Sequence, residues 1–305
     1  MQPEIICLGE PMLEFNQQPT GLYLSGHGGD TSNCAIAAAR QGASVGYWTR
    51  LGADAFGDSF MQLWSDESVD CSRVERDGTA PTGIYFVTHG AEGHRFSYYR
   101  AGSAASRMTP AMLPDDYIAG AKILHLSGIS QAISDSAAAT VVRAIDIACE
   151  AGVQVSYDTN LRLSLWPVER ARAVTHAAMA RCRIALPGLD DALHLTGRDE
   201  PDAIVDFYLD LGAEIVALTL GASGTLVATP AERRRIAGRK VVPVDATAAG
   251  DTFDGAFLAE IAAGRDPFAA ARYANAAAAL STQGFGAVAP MPRRPDVEAF
   301  LDEQT

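Results

Sequence analysis

The residues most able to do chemistry stand together in Asp245-Ala-Thr-Ala-Ala-Gly-Asp251, immediately before an apolar helical stretch. Ala248, Ala249 and Gly250 carry side chains small enough for an anion to approach the backbone. The free N–H groups in the first turn of the helix, together with the helix dipole, would attract that anion. The segment therefore predicts an anion hole suited to a phosphoryl group.

Asp251 places a carboxylate beside that anion hole. A carboxylate repels phosphate, so we expect it to orient a hydroxyl group and to accept its proton late in phosphoryl transfer. The alternative interpretation is that Asp251 only caps the helix. The chain contains no G-x-x-x-x-G-K-[ST] segment, so the anion hole would have to replace a P-loop.

The elements that would position this segment alternate along the second half of the chain. The pattern predicts strands at 123–127, 154–158, 183–186 and 214–220, and helices at 30–42, 134–152, 167–181, 189–197, 201–212 and 251–263. This alternation predicts an α/β fold with a mainly parallel sheet covered on both faces. Ligands bind at the carboxyl ends of the strands in such sheets, where Glu10, Asp158, Asn160 and Gly221 are expected.

The first third of the chain contains β-rich stretches outside this alternation. Residues 82–89 and 94–100 are β-rich and flank the turn 90–93, which predicts a hairpin. Together with residues 12–26, the stretch 79–107 is expected to form a small sheet that acts as a lid on a single domain spanning 1–305.

Composition limits the partners and the location. The chain has 305 residues and a net charge of −13, which argues against nucleic acid or an anionic membrane as a partner. An anionic substrate would need local positive groups. The five scattered cysteines lack CxxC spacing and suit a reducing compartment. The N-terminal residues show no basic leader and no apolar run reaches membrane-spanning length, so we expect a cytoplasmic protein.

The stretch D-A-T-A-A-G-D-T-F resembles the C-terminal signature of the ribokinase (PfkB) family of sugar kinases, which usually reads G-A-G-D where this chain has A-A-G-D. The resemblance implies a ribokinase-like three-layer sandwich with a small β-sheet lid, and ATP and Mg²⁺ as cofactors. It makes Asp251 the catalytic base and Ala248, Ala249 and Gly250 the anion hole. It also places Asp245 where relatives bind a monovalent cation such as K⁺.

Further motifs extend the resemblance over nearly the whole chain. Residues 28–33 are similar to the family's sugar-binding motif, and residues 220–224 to its nucleotide loop. The resemblance implies that ATP contacts Leu220, Gly221, Gly224, Gly250 and Asn275. Relatives often carry N-x-x-E, a motif linked to magnesium. Here the Asn is missing and Asp190 stands at the Glu position, where it would hold Mg²⁺ through water or serve only as an acidic residue at a helix start.

Two stretches point to a sugar acid. Residues 98–105 and 158–166 resemble the branch of the family that phosphorylates 2-keto-3-deoxygluconate at its primary hydroxyl, giving the 6-phosphate. The resemblance implies sugar contacts from Gly29, Asp30, Asn33, Tyr85, Tyr98, Arg100, Arg162 and Asp251. The guanidinium of an arginine matches a carboxylate well, and it would supply the local charge that an acid needs here.

Alternatives stay open from the sequence. Arg162 could instead pair with Asp158 or Glu169, and Tyr85 and Tyr98 could serve packing alone. The substrate could be a neutral sugar such as fructose or ribose, or a nucleoside. The chain could also be a sugar-binding regulator that no longer transfers phosphate. The family resemblance further implies a homodimer formed through the lid.

Overall fold

The computed structural model describes residues 2–90 and 93–303, so the tip of the predicted hairpin at 91–92 lies outside the described residues. The strands are β1 (Ile5–Leu8), β2 (Met12–Gln17), β3 (Tyr23–Gly28), β4 (Val45–Trp48), β5 (Arg50–Gly52), β6 (Glu75–Asp77), β7 (Gly83–Gly90), β8 (Gly93–Tyr99), β9 (Ile123–Ser127), β10 (Gln154–Asp158), β11 (Ile184–Leu186), β12 (Ile215–Thr219), β13 (Gly224–Ala228) and β14 (Arg233–Ala237).

The helices connect these strands and follow them. They are α1 (Asp30–Arg40), α2 (Ala55–Asp66), α3 (Asp115–Ala119), α4 (Gly128–Ala132), α5 (Asp135–Ala151), α6 (Val168–Met179), α7 (Leu189–Thr196), α8 (Pro201–Asp210), α9 (Ala249–Ala262), α10 (Pro267–Ser281) and α11 (Arg294–Asp302). None of the helices in the described part of the chain is long and apolar enough to span a membrane.

The main sheet has eight strands in the order β14-β13-β12-β11-β10-β9-β1-β4. The strands from β4 to β12 pair in parallel, and β13 and β14 add two antiparallel strands at one edge. The prediction of a mainly parallel α/β sheet is confirmed. Its carboxyl ends gather residues that lie far apart in the sequence, which is how the fold builds a site.

Both faces of the main sheet are buried, as the alternating side chains of β1 illustrate. Ile5 and Cys7 pack in one apolar cluster with α1, α2, α9, α10 and α11, whereas Ile6 and Leu8 pack in a second cluster with α3, α5, α6, α7 and α8. A strand buried on both faces has no polar alternation, because each face meets a helical layer. The result is the predicted three-layer sandwich.

A separate small sheet has the order β3-β2-β7-β8, with β7 and β8 forming an antiparallel hairpin. It is attached directly to the main sheet, because β2 begins only four residues after β1 ends. Along β7, buried residues alternate with partly exposed ones. This pattern fits a sheet with one face toward the protein and one toward solvent. The predicted small sheet is present.

Helix α9 begins two residues earlier than the sequence predicted. We expected a start at Asp251, but the helix starts at Ala249 because Ala248 takes the left-handed conformation (φ 59°, ψ 18°) at the preceding cap position. Small residues therefore form the first helical turn. Asp251 projects from that turn rather than capping it, and no side chain caps the helix start among the described residues.

Candidate active site

A cavity of about 910 Å³ lies between the carboxyl ends of the main-sheet strands and the small sheet. All eight residues predicted to contact the sugar line it: Gly29, Asp30, Asn33, Tyr85, Tyr98, Arg100, Arg162 and Asp251. Of the other predicted site residues, the cavity wall includes Asp190, Leu220, Gly221, Ala248, Ala249 and Gly250. Gly224, Asp245 and Asn275 are not part of that wall.

The first turn of α9 leaves two amide groups pointing out of the helix. The N–H of Ala249 donates to the carbonyl of Ala246 (3.2 Å), and that of Thr252 donates to the carbonyl of Ala248 (2.8 Å). Within residues 2–90 and 93–303, the amides of Gly250 and Asp251 have no acceptor. Two free N–H groups at the positive end of a 14-residue helix form an anion site.

The carboxylate of Asp251 is held from α1. The side-chain amide of Asn33 donates to Asp251 Oδ2 over 2.8 Å. The two helices can approach because Gly255 has no side chain, and a Cβ there would lie 2.4 Å from the carbonyl oxygen of Cys34. Asn33 Oδ1 is buried without a partner in the described residues.

Burial and charge shift the proton equilibrium of Asp251. Burial, with a smaller contribution from the nearby carboxylate of Asp30, raises the pKa of Asp251 to about 7, although the Asn33 hydrogen bond and the charge of Arg162 act in the opposite direction. A carboxylate with a pKa near neutrality can both take and release a proton at physiological pH. This behaviour suits a general base better than a helix cap.

Two more carboxylates lie beside Asp251. Burial and mutual repulsion hold the pKa of Asp158 and that of Asp254 well above the ordinary range. Both residues line the cavity. This end of the cavity is therefore lined by several carboxyl groups, and a ligand carboxylate would need a cation close by.

Arg100 does not offer a free guanidinium. One of its terminal nitrogens forms a buried ion pair with Glu10, whose other oxygen accepts a hydrogen bond from Ser103 Oγ (2.9 Å). Burial raises the pKa of Glu10, while Arg100 and Ser103 oppose that rise. Arg100 Nε is buried without a partner in the described residues, and the guanidinium carbon lies 5.7 Å from the ring centroid of Tyr98. Arg100 stays a predicted sugar contact, but its guanidinium is already paired with Glu10.

Arg162 is placed differently. Its side chain is exposed at the cavity, and its Nη1 donates a hydrogen bond to the backbone oxygen of Leu161 (2.9 Å). Among the residues that the structure describes, no carboxylate lies within 4.0 Å of its guanidinium, so it pairs with neither Asp158 nor Glu169. Arg162 therefore presents a cation toward the acidic end of the cavity.

Glu14 is a cavity residue that the sequence analysis missed. The hydroxyl of Tyr85 donates to Glu14 Oε2 over 2.6 Å, and both side chains are buried in the small sheet. The ring of Tyr98 lies 5.8 Å from that of Tyr85. Glu14 and Tyr85 face each other because β2 and β7 pair in register at these positions. A carboxylate inside a short apolar stretch, residues 12–15, was the sequence signal that could have pointed to it.

The predicted nucleotide residues divide into two groups. Leu220 and Gly221 line the cavity beside a short 3-10 turn, Gly221–Ser223. Gly224 follows this turn with φ 97°. A Cβ at this position would lie 2.1 Å from the carbonyl oxygen of Ile236, so the close approach requires a glycine. The side chain of Asn275 accepts from Thr225 (2.7 Å) and donates to Ile236 (3.2 Å), so it holds β13 and β14 against α10. Nucleotide contacts from these residues stay predictions.

The two predicted cation residues have different surroundings. Asp190 is exposed in the first turn of α7. Asp245 accepts hydrogen bonds from the amide (2.9 Å) and hydroxyl (2.7 Å) of Thr247 and from the amide of Gly286 (3.0 Å). In the described ranges no three acidic, histidine or cysteine side chains converge on one metal position. A Mg²⁺ role for Asp190 therefore stays a prediction.

Comparison with known proteins identifies the family of this chain. Residues 14–294 match the pfkB family of carbohydrate kinases. The chain belongs to this family. The kinase is 32% identical to the 2-dehydro-3-deoxygluconokinase of Bacillus subtilis, over 100% of this chain and 97% of that protein. It is 34% identical to the enzyme of the same name from Thermoproteus tenax, over 95% of this chain and 92% of that protein.

Fructokinases are nearly as similar to this kinase. The probable fructokinase-4 of Arabidopsis thaliana is 30% identical over 97% of this chain and 96% of that protein. A fructokinase from Vibrio cholerae O395, solved with fructose, ADP and calcium, is 28% identical with a TM-score of 0.90, covering 99% of this chain and 100% of that one. A PfkB protein from Polaromonas sp. JS666 is 30% identical with a TM-score of 0.89, covering 97% and 99%.

These comparisons confirm three predictions: the PfkB family, the ribokinase-like fold, and a carbohydrate kinase as the class of enzyme. The similarity is not confined to short motifs, because the match spans nearly the whole sequence. The sugar is a separate question, since enzymes named for an acid and for a neutral ketose are similarly related to this kinase.

Proposed function

We propose that this kinase transfers the γ-phosphoryl group of ATP to the primary hydroxyl of a sugar acid, 2-keto-3-deoxygluconate, and releases its 6-phosphate and ADP. The observation that carries the acid assignment is Arg162, a guanidinium at the cavity with no carboxylate partner in the described residues. A substrate carboxylate would meet it with a charge-assisted, bidentate contact. The identities of 32% and 34% to enzymes named for this sugar acid support the same assignment.

In the proposed reaction, the γ-phosphoryl group lies before the amides of Gly250 and Asp251. Asp251 takes the proton of the sugar hydroxyl while the oxygen–phosphorus bond forms and the bond to ADP breaks. Asn33 keeps the Asp251 carboxylate in place through its 2.8 Å hydrogen bond. Because the transition state is loose, most of the rate enhancement comes from alignment and from the backbone amides.

Cations complete the phosphate end of the proposal. Asp190 would hold Mg²⁺ through water, and that ion would neutralise charge on the ATP phosphates. Asp245, whose oxygens already organise Thr247 and Gly286, would border a monovalent cation such as K⁺ and so stabilise the loop that leads into α9.

The small sheet is proposed to act as the lid, formed by residues 12–26 and 79–107. Tyr85, Tyr98 and Arg100 would cover the sugar and exclude water that could hydrolyse ATP. The lid also leaves Leu22 (71%) and Leu24 (63%) largely exposed, which supports pairing with a second copy of the chain. Sedimentation analysis tests that homodimer, and a monomer at micromolar concentration would reject it.

An ADP-release screen tests the function. The panel should contain 2-keto-3-deoxygluconate, its galactonate-type epimer, fructose, ribose and a nucleoside, with phosphate position in the product read by NMR. We expect the keto-deoxy acids to give the highest kcat/KM and a 6-phosphate product. A higher kcat/KM for fructose would favour the second candidate, a fructokinase, which the 30% identity to a plant fructokinase supports. If none of the sugars in the panel supports ADP release, both candidate functions are rejected.

A further inference from the structure

Asn160 combines an unusual backbone conformation with a contact inside the cavity. It lies two residues beyond the end of β10 and has φ +29°, one of only three positive values found at non-glycine residues in the described chain. Its own N–H donates to Asp158 Oδ1 over 3.1 Å. Asparagine tolerates this region better than most residues, but the conformation still persists only when its surroundings enforce it.

The side chain of Asn160 reaches a residue 130 positions away in the sequence. Its Nδ2 donates to Asp30 Oδ2 over 3.0 Å, while Asp30 Oδ1 accepts the N–H of Thr31 (2.8 Å). Asn160 and Asp30 are 8% and 9% exposed, and both line the cavity. Each carboxylate oxygen of Asp30 is therefore fixed by one donor and keeps a second lone-pair direction for a ligand.

The contact matters because Asp30 lies among other acids. Its charge contributes to the raised pKa of Asp251 and of Asp158. In the part of the chain that the structure describes, no arginine, lysine or histidine forms an ion pair with Asp30. The neutral side-chain amide of Asn160 and the backbone N–H of Thr31 thus hold this carboxylate against rotation away from its acidic neighbours.

We propose that Asn160 is a positioning residue for the sugar: it fixes the Asp30 carboxylate in the direction from which that carboxylate accepts sugar hydroxyls. The inference rests on the proposed function, in which Asp30 binds the sugar. Because α1 carries both Asp30 and Asn33, the Asn160 contact also ties β10 to the helix that orients Asp251. Preorganisation of this kind lowers the ordering cost on sugar binding and aligns the hydroxyl with the base.

Asn160→Gly is the decisive variant, since glycine suits a positive φ and removes only the amide. We expect the sugar KM to rise roughly tenfold, the lower end of the effect of losing a hydrogen bond to a charged group, with the ATP KM within twofold and the melting temperature undiminished. Asn160→Asp, which keeps the size but repels Asp30, should raise the sugar KM at least as much. In a double-mutant cycle with Asp30→Ala, the Asn160→Gly effect should largely disappear.

Ser68→Gly serves as the matched control, because Ser68 is exposed, away from the cavity wall, and has φ +59°. It should leave both KM values unchanged. The sugar used is whichever gives the highest kcat/KM, so a wrong sugar-acid assignment does not disturb this test. An unchanged sugar KM in Asn160→Gly, an equal rise in both KM values, or full additivity with Asp30→Ala would overturn the positioning role.

Discussion

The two ends of the cavity are built in different ways. The end proposed to bind phosphate comes from one continuous segment, 246–251, whose small residues expose backbone amides. The end proposed to bind the sugar comes from side chains on β2, β7, β8, α1 and the loop after β10 that hold one another in pairs, such as Tyr85 with Glu14 and Asn160 with Asp30. A backbone N–H donor remains when a side chain is substituted, whereas a side-chain pair is lost when either partner is replaced. Substitutions should therefore affect the two ends with different signatures.

The largest effect is expected where the two ends meet, at Asp251. Asp251→Asn keeps the size of the side chain and leaves the backbone amides in place, but it removes the base. We expect kcat to fall on the order of a thousandfold with little change in ATP affinity, since general-base catalysis contributes roughly 10²–10⁴ in rate. Steady-state kinetics and nucleotide titration measure the two quantities.

The matched control for Asp251 is Asp210→Asn, an exposed aspartate at the end of α8. It should leave kcat unchanged. If Asp251→Asn keeps near wild-type turnover, Asp251 is only a residue of the first helical turn. It is then not the base proposed to act where the two ends of the cavity meet.

The pH dependence should be next in size. Because the pKa of Asp251 is raised to about 7 and the base must be ionised, kcat/KM should fall about tenfold per pH unit below 7 and level off above it. Stability should change in the opposite direction. The folded pKa lies above the ordinary 3.8, so the folded state binds the extra proton and the free energy of unfolding decreases as pH rises from about 4 to 7.

Asp251→Asn separates these two effects. The decrease in kcat/KM below pH 7 should be absent in the variant. The melting temperature of the variant minus that of the wild type should be larger at pH 8 than at pH 4. A wild-type profile that is flat between pH 5 and 8 would show that no group with this pKa limits the reaction.

The smallest effect is expected at Ala248, on the backbone end. Its left-handed conformation (φ 59°) costs a residue with a Cβ about 1–2 kcal/mol, part of which Ala248→Gly should recover. We expect the free energy of unfolding to rise by up to about 1 kcal/mol in urea, with the ATP KM changed less than threefold. Ala139→Gly, at an exposed position inside α5, should instead lower it by about 1 kcal/mol. Equal signs for the two variants would contradict the conformation assigned to Ala248.

The same contrast explains what the sequence could and could not predict. The parallel sheet, the small sheet and the phosphate segment were predictable because each depends on local periodicity or on consecutive residues. The partners of the sugar residues were not. Arg100 meets Glu10 across 90 positions and Tyr85 meets Glu14 across 71, so no local pattern encodes either pair. The early start of α9 was missed because it depends on the backbone angles of Ala248 alone.

The central claim is that an acid is the substrate and that Arg162 recognises it. The direct measurement is kcat/KM for 2-keto-3-deoxygluconate and for fructose in the wild type, in Arg162→Ala, and in the control Arg272→Ala, an exposed arginine on α10. We expect a clear preference for the acid in the wild type and in the control. In Arg162→Ala that preference should drop roughly tenfold to a hundredfold, through the acid and not through fructose. A wild-type preference for fructose, or equal losses on both sugars in Arg162→Ala, would contradict the claim.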